Sequence, residues 1–184
     1  MCCAEDSLRK YIDGDKQAFS SIIEQFKDPI IFFISTYVKD PHTAEDIAAD
    51  CFAQLAAYPT KFSFRSSLKS YLFSMAHNMA VNYIRRHSRI TFLENVHQMA
   101  ADDEFEHLES AMLADERSKM LHKALPKLND NYRTALYLVY FENMSYSEAA
   151  AAMHKTAKQI DNYVTRGRAA LKKILTEEGF SYDG

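Results

Sequence analysis

Apolar residues recur at three- and four-residue spacing along almost the whole chain, and only 4 Gly and 4 Pro punctuate its 184 residues. That spacing is the period of an amphipathic helix, and so few turn residues leave little room for the many tight turns of an all-β fold. The sequence therefore predicts an all-α protein. Asp15 to about Val38 reads as helix, with Phe19, Ile22, Ile23 and Phe26 at helical spacing. Pro29 is expected to kink or break it, because proline removes a backbone donor and its ring clashes with the preceding turn. Asp40-Pro41 reads as a cap with proline in the first turn of a helix running to about Tyr58. Ile47, Cys51, Phe52 and Leu55 form its inner stripe, and Pro59 ends it. Thr60 to Ser67 is a loop with two aromatics and two bases. The helix from Leu68 to about His87 has Leu68, Tyr71, Leu72, Met75, Met79 and Tyr83 on its core face. Its separate polar stripe is Ser70, Ser74, His77, Asn78, Val81 and Arg85.

The C-terminal third carries the sharper signals. A helix from about Leu108 leads to Pro126, and Asn129 can cap the next, which ends near Glu142-Asn143. Ser145-Tyr146-Ser147-Glu148 and Thr156-Ala157-Lys158-Gln159 both fit the capping box, in which a hydroxyl and an acidic or amide side chain three residues apart satisfy each other's backbone N–H. Between them fit one short helix and a turn of about three residues. Short helix, tight turn and longer basic helix is the outline of a helix-turn-helix, with His154 where glycine usually stands. The predicted architecture is two small helical domains, 10–93 and 118–176, joined by an acidic linker, 94–117.

Charge sharpens this division. The net charge is only −3, yet residues 61–93 hold six bases and no acid, and residues 94–116 hold eight acids and no base. Residues 125–175 hold eight bases and four acids. Two basic blocks with polar and aromatic residues interleaved point toward nucleic acid. Other classes fall away. No glycine-rich phosphate loop, HExxH, CxxC or Cys/His zinc spacing occurs, so no catalytic residue, metal or cofactor is expected. No apolar run approaches the ~18 residues that span a bilayer, and the first residues lack the charged and apolar regions of a signal peptide. With 3 Cys and no disulfide framework, a cytoplasmic protein without membrane insertion is expected. Cys2 and Cys3 read as a mobile terminus and Cys51 as a small core residue.

On the helix from Thr156, Ile160, Tyr163, Val164, Gly167, Leu171 and Ile174 share the core side, where Gly167 suggests close approach of another helix. Lys158, Asn162, Thr165, Arg166, Ala169 and Lys173 face away. Asn and Gln can pair with adenine, and Arg with guanine, in a major groove. Lys155, Lys172 and Lys173 suit phosphates. In the earlier loop, Phe62 and Phe64 are flanked by Lys61 and Arg65. Bases stacking on rings beside cations is how single strands are held, although for either ring by itself packing into the core where two helices meet is the preferred reading.

These motifs together resemble a bacterial sigma factor of the extracytoplasmic-function type, over about Asp13 to Leu175. Ala44-Glu45-Asp46-Ile47-Ala48-Ala49-Asp50-Cys51-Phe52 resembles A-E-D-[VI]-x-Q-[ED]-x-F. Phe64-Arg65 through Tyr71-Leu72, Ala76-His77-Asn78 and Arg85-Arg86 resembles F-R-x-x-x-x-x-W-L-x-x-I-A-x-N-x-A with its R-R ending. Tyr132-Arg133 through Tyr140-Phe141-Glu142-Asn143-Met144-Ser145-Tyr146-Ser147-Glu148-Ala149 resembles Y-R-x-x-[ILV]-x-L-x-Y-[FL]-E-G-[LM]-S-Y-x-E-[IA]. The resemblance implies that Asp46, Ile47, Asp50 and Phe52 meet core RNA polymerase. It implies that Lys61, Phe62, Phe64, Arg65, Asn78, Arg85 and Arg86 recognise and open the −10 element, capturing a flipped base. It further implies that Lys155, Lys158, Gln159, Asp161, Asn162, Thr165, Arg166 and Arg168 meet the −35 element. Promoter DNA and an anti-sigma factor are the other implied partners.

Four positions depart from the family pattern. Ala49 stands for Gln, Tyr71 for Trp, Asn129 for Pro, and Asp161 for a base. Asp161 could accept from a cytosine amino group or pair with Lys158 or Arg168. The alternative is a stand-alone helix-turn-helix regulator, which predicts a ligand cavity in the first domain rather than an exposed Asp46–Asp50 helix. A helical enzyme or interaction protein with an incidental basic face is a third reading, opposed by the lack of a catalytic constellation.

Overall fold

The computed structural model describes residues 3–91 and 116–177, and every α, 3₁₀ or π element within them is helical. The chain divides into two compact units, Met1–Phe105 and Glu106–Gly184. Cys2 and the expected linker residues 94–115 lie outside the described residues.

The first unit comprises α1 (Ala4–Ile12), α2 (Ala18–Ser35), α3 (Pro41–Ala57), a 3₁₀ turn (Pro59–Lys61) and α4 (Leu68–Thr91). Helix α1 was not expected. It is short and carries four charged residues among its nine, but Leu8 is fully buried, and the Tyr11 hydroxyl donates to the Ala56 carbonyl at 3.2 Å. Cys3 is exposed at the N-terminal cap of α1, with its thiol on the Glu5 carboxylate, so it belongs to an ordered end. Gly14, at φ +108°, makes the turn into α2, a conformation that a side chain would strain.

Helix α2 runs through Pro29 without a break, contrary to expectation. The reason is tertiary: Ile30, Ile31, Phe32, Phe33 and Ile34 are all buried, so this turn is surrounded. Burying each such side chain stabilises by about 1.5–3 kcal/mol, which together outweighs the ~3 kcal/mol cost of an internal proline. Helix α3 starts as predicted: Asp40 accepts from the Thr43 N–H at 2.8 Å and Pro41 takes the first position. Hydrogen bonds from Thr43 hold the Asp40 carboxyl below its ordinary range.

Helix α4 departs from its predicted stripes. Ser70 and Ser74, expected to face outward, are buried alongside Leu72, Phe73 and Ala76. Helices α1, α2 and α3 all pack on α4, so its first half has little outside. Ser70 stays satisfied because its N–H and hydroxyl both meet the Ser67 hydroxyl, at 3.1 and 2.9 Å. Cys51 is fully buried as predicted, 3.3 Å from the Met79 sulfur. Burial, with a smaller push from Asp50, raises its thiol to about 12. The hydrogen bond to Glu5 raises the Cys3 thiol too, but Cys3 is exposed and Cys51 is closed to reagent, so alkylation of the folded chain at about pH 8 should label Cys3 and spare Cys51. Fast labelling of Cys51 before denaturation would contradict this packing.

The second unit comprises α5 (Glu116–Ala124), a 3₁₀ turn (Leu125–Lys127), α6 (Asp130–Leu136), α7 (Tyr146–Met153) and α8 (Ala157–Glu177). Asn129 caps α6 by accepting from the Asn131 N–H at 3.0 Å, as predicted. Helix α6 continues as a π-helical turn, Tyr137–Phe141, whose two aromatic ends stack at 5.1 Å and 7°. Both capping boxes form. Glu148 N–H donates to the Ser145 hydroxyl at 3.2 Å, and Ser145 N–H to the Glu148 carboxylate at 2.9 Å. Thr156 and Gln159 repeat the arrangement at 3.2 and 2.9 Å. Between the boxes His154 sits at φ +52°, with Lys155 N–H on the Ala150 carbonyl at 2.9 Å. This is the left-handed helix ending usually made by glycine, tolerated in a histidine at ~1–2 kcal/mol.

Helices α6 and α8 cross at Gly167. A Cβ there would lie 3.1 Å from Leu136 Cδ1 and 3.2 Å from Tyr132 Cβ. Gly167→Ala gains ~1 kcal/mol of helix propensity but overfills the contact, at a cost of about 1–3 kcal/mol. The expected outcome is a lower melting temperature, read by thermal unfolding.

Candidate nucleic-acid interface

Three surfaces gather the residues singled out in the sequence. The first is the outer face of α8. Ile160, Val164 and Gly167 are buried as predicted, whereas Tyr163, Leu171 and Ile174 are half-buried and Leu175, not on the predicted stripe, is 2% exposed. Lys158, Gln159, Asp161, Asn162, Thr165, Arg166 and Arg168 are consequently all exposed, and Lys155 is exposed in the turn before them. Lys173 leans toward Glu177 at 3.9 Å. Gln159 is not wholly available, because its carbonyl oxygen accepts the Thr156 N–H. Two-ended pairing with adenine would break that cap, so its amide NH₂ is the end left to face outward.

The second surface is the segment joining α3 to α4. Phe62, expected as an exposed base-stacking ring, is 2% exposed and is corrected to core. Its ring packs on Phe64 at 4.7 Å and Tyr71 at 5.2 Å, filling the space that the turn leaves beside α4. Phe64 itself is half-buried, at φ +57°, unusual for an aromatic residue. The Arg9 guanidinium lies 4.2 Å from the centre of its ring. Lys61, Arg65, Asn78, Arg85 and Arg86 are all exposed. The sequence reading missed Tyr58, which is 55% exposed with the Lys61 ammonium 4.3 Å over its ring. The signal was present: Tyr58 is an aromatic three residues before a lysine, just past the last apolar position of α3. Rings and cations thus alternate here, the pairing that holds unstacked bases and their phosphates.

The third surface lies between α2 and α3. Asp46 and Asp50 are exposed on α3. Beside them a groove of about 640 Å³ is lined by Phe19, Ile23, Lys27, Ala49, Phe52 and Ala53. Phe52 is 6% exposed and forms part of the groove wall. Ile47, read from the spacing as part of the inner stripe and from the family resemblance as a partner contact, is on the core side. It lies on the buried stripe Ala44–Ile47–Ala48–Cys51–Leu55 and is 7% exposed. Ala49, where the family has Gln, opens the groove instead of filling it.

Among the described residues no group of three His, Cys, Asp or Glu side chains could hold a metal, and no helix is long and apolar enough to cross a membrane.

Comparison with known proteins gives the family. Residues 22–90 match the family described as sigma-70 region 2, and residues 118–171 match sigma-70, region 4. The RNA polymerase sigma-H factor of Pseudomonas aeruginosa is 30% identical, over 88% of both chains. The ECF RNA polymerase sigma factor SigW of Bacillus subtilis is 26% identical, over 92% of this chain and 95% of its own. Two solved structures share the fold. The sigma factor RpoE of Bartonella quintana, in complex with the anti-sigma factor NepR, has a TM-score of 0.66 at 23% identity, covering 86% of this chain and 96% of its own. CnrH, in complex with the cytosolic domain of CnrY, has a TM-score of 0.67 at 18% identity, covering 95% of both chains. The chain belongs to the bacterial sigma-70 family as an alternative sigma factor of the ECF type, a non-enzymatic factor that directs transcription initiation.

Proposed function

We propose that the three surfaces act together on core RNA polymerase and a two-element promoter. The α2/α3 groove, with Asp46 and Asp50 on its α3 side, docks on the polymerase clamp. The Tyr58–Ser67 segment receives a non-template base from the −10 element, with Phe64 rather than the buried Phe62 as the stacking ring. Asn78, Arg85 and Arg86 accompany that strand along α4. The outer face of α8 enters the major groove of the −35 element, where Asn162, Thr165 and Arg166 meet base edges and Lys155, Lys158 and Arg168 meet phosphates. The acidic 94–117 segment passes through the RNA exit path in place of RNA. The factor works in the cytoplasm, and an anti-sigma protein holds it inactive until needed.

The observation that carries this reading is the outward face of α8. The reciprocal Thr156–Gln159 cap starts the helix and burial of Ile160 and Val164 orients it, leaving bases and short polar groups together outside. The exposure of Asp46 and Asp50 on α3 also favours it over a ligand-sensing regulator.

Two substitutions test it. Arg166→Ala should weaken −35 duplex binding by about 1–3 kcal/mol, measured by titration and by promoter strength. Unchanged promoter strength would remove Arg166 from that role. Phe64→Ala should leave duplex binding intact but impair opening by about 1–3 kcal/mol, the worth of one base stacked on a ring. Normal permanganate reactivity across the −10 element would make Phe64 a packing residue only.

A further inference from the structure

Helix α1 precedes the 22–90 span matched to sigma-70 region 2, and no role attaches to it. It nevertheless grips the segment that carries Phe64 at two points. The Arg9 guanidinium lies over the Phe64 ring, 4.2 Å from its centre. The Glu5 carboxylate accepts the Leu68 N–H at 2.6 Å, holding the first residue of α4. Stretch 64–68 is thus held at both ends by side chains one helical turn apart on α1. The grip has a fixed base. Leu8 is fully buried, the Tyr11 ring packs on Phe19 at 4.8 Å, and the Tyr11 hydroxyl ties α1 to the end of α3.

Phe64 needs such support. At φ +57° an aromatic residue occupies a sparsely populated backbone region, which persists only where the surroundings enforce it. Phe62 supports its ring from within the unit, and Arg9 caps it with a cation. Without Arg9, the loop has one fewer reason to keep the ring displayed.

We propose that Arg9 is a positioning residue for promoter opening: with Glu5, it holds Phe64 in the shape that receives the unpaired non-template base. The proposal rests on the reading of the Phe64 loop as the base-capturing element. It extends the opening apparatus to a helix ahead of the matched region.

The test uses the full chain on core RNA polymerase, with permanganate reactivity following opening of a duplex promoter. Arg9→Ala should slow opening roughly five- to twentyfold, and Arg9→Lys should retain most of the rate, since a cation over a ring is what matters. In a Phe64→Ala background, Arg9→Ala should add less than about twofold, because residues acting through one another are not additive. Glu5→Gln should give a smaller loss by weakening its hold on Leu68. Core binding should be unchanged in all four single variants, and each should still unfold cooperatively above the assay temperature, which separates the effect from misfolding. Normal opening by Arg9→Ala while Phe64→Ala is impaired would overturn the proposal and leave the loop reading intact. Losses that multiply in the double variant would also overturn it, by making Arg9 an independent contact. Normal opening by Phe64→Ala would remove the loop reading and this proposal together.

Discussion

Where Gly167 meets Leu136 and Tyr132, two helices approach so closely that an added Cβ would lie 3.1–3.2 Å from its neighbours. That contact, with Val164 and Ile160 one and two turns before it, fixes the rotation of α8 about its axis. A rotation by one residue would carry Arg166 toward the core and Gly167 toward solvent. The residues that could read DNA are displayed together because the residues that cannot are buried together. The same constraint operates on α3, where burial of Ala44, Ile47, Ala48 and Cys51 leaves Asp46 and Asp50 outside.

Between α3 and α4 the helical rule gives out, and individual side chains take over. Phe62 anchors the segment from within, Lys61 covers Tyr58, and Arg9 covers Phe64. A single residue in a disfavoured backbone region costs of order 1–3 kcal/mol, which the surrounding contacts must offset. Extruding a base from a duplex also costs a few kcal/mol. On the proposed reading of this loop, a ring held in place before the DNA arrives avoids adding the cost of ordering the loop to the cost of unstacking the base. The helices on either side set where the loop stands.

Much of this was legible in the sequence because it depends on local rules. The two capping boxes, the Asp40-Pro41 start, the Asn129 cap and the inner face of α8 each follow from residues within a few positions of one another. The failures share the opposite property. Pro29 continues a helix because five neighbours are buried by other elements. Ser70 and Ser74 are buried because three helices crowd the start of α4. Phe62 and Ile47 are a different case: the residue pattern read both as core, as they are, and only the family pattern suggested contacts for them. Helix α1 escaped notice because its anchors, Ala56, Phe64 and Leu68, are distant in the chain. Gln159 shows a conflict visible in the sequence itself: one side chain was asked both to cap a helix and to read a base, and the cap takes its carbonyl.

The central claim is that the groove beside Asp46 and Asp50 seats this factor on polymerase while its other two surfaces choose the start site. The most direct measurement is co-purification of the full chain with bacterial core RNA polymerase, followed by run-off transcription from a library of genomic fragments. The account predicts a stable complex that initiates on a small subset of fragments sharing two spaced elements. Tight binding to duplex DNA without binding to core polymerase would contradict it, and would make the chain a stand-alone DNA-binding regulator instead.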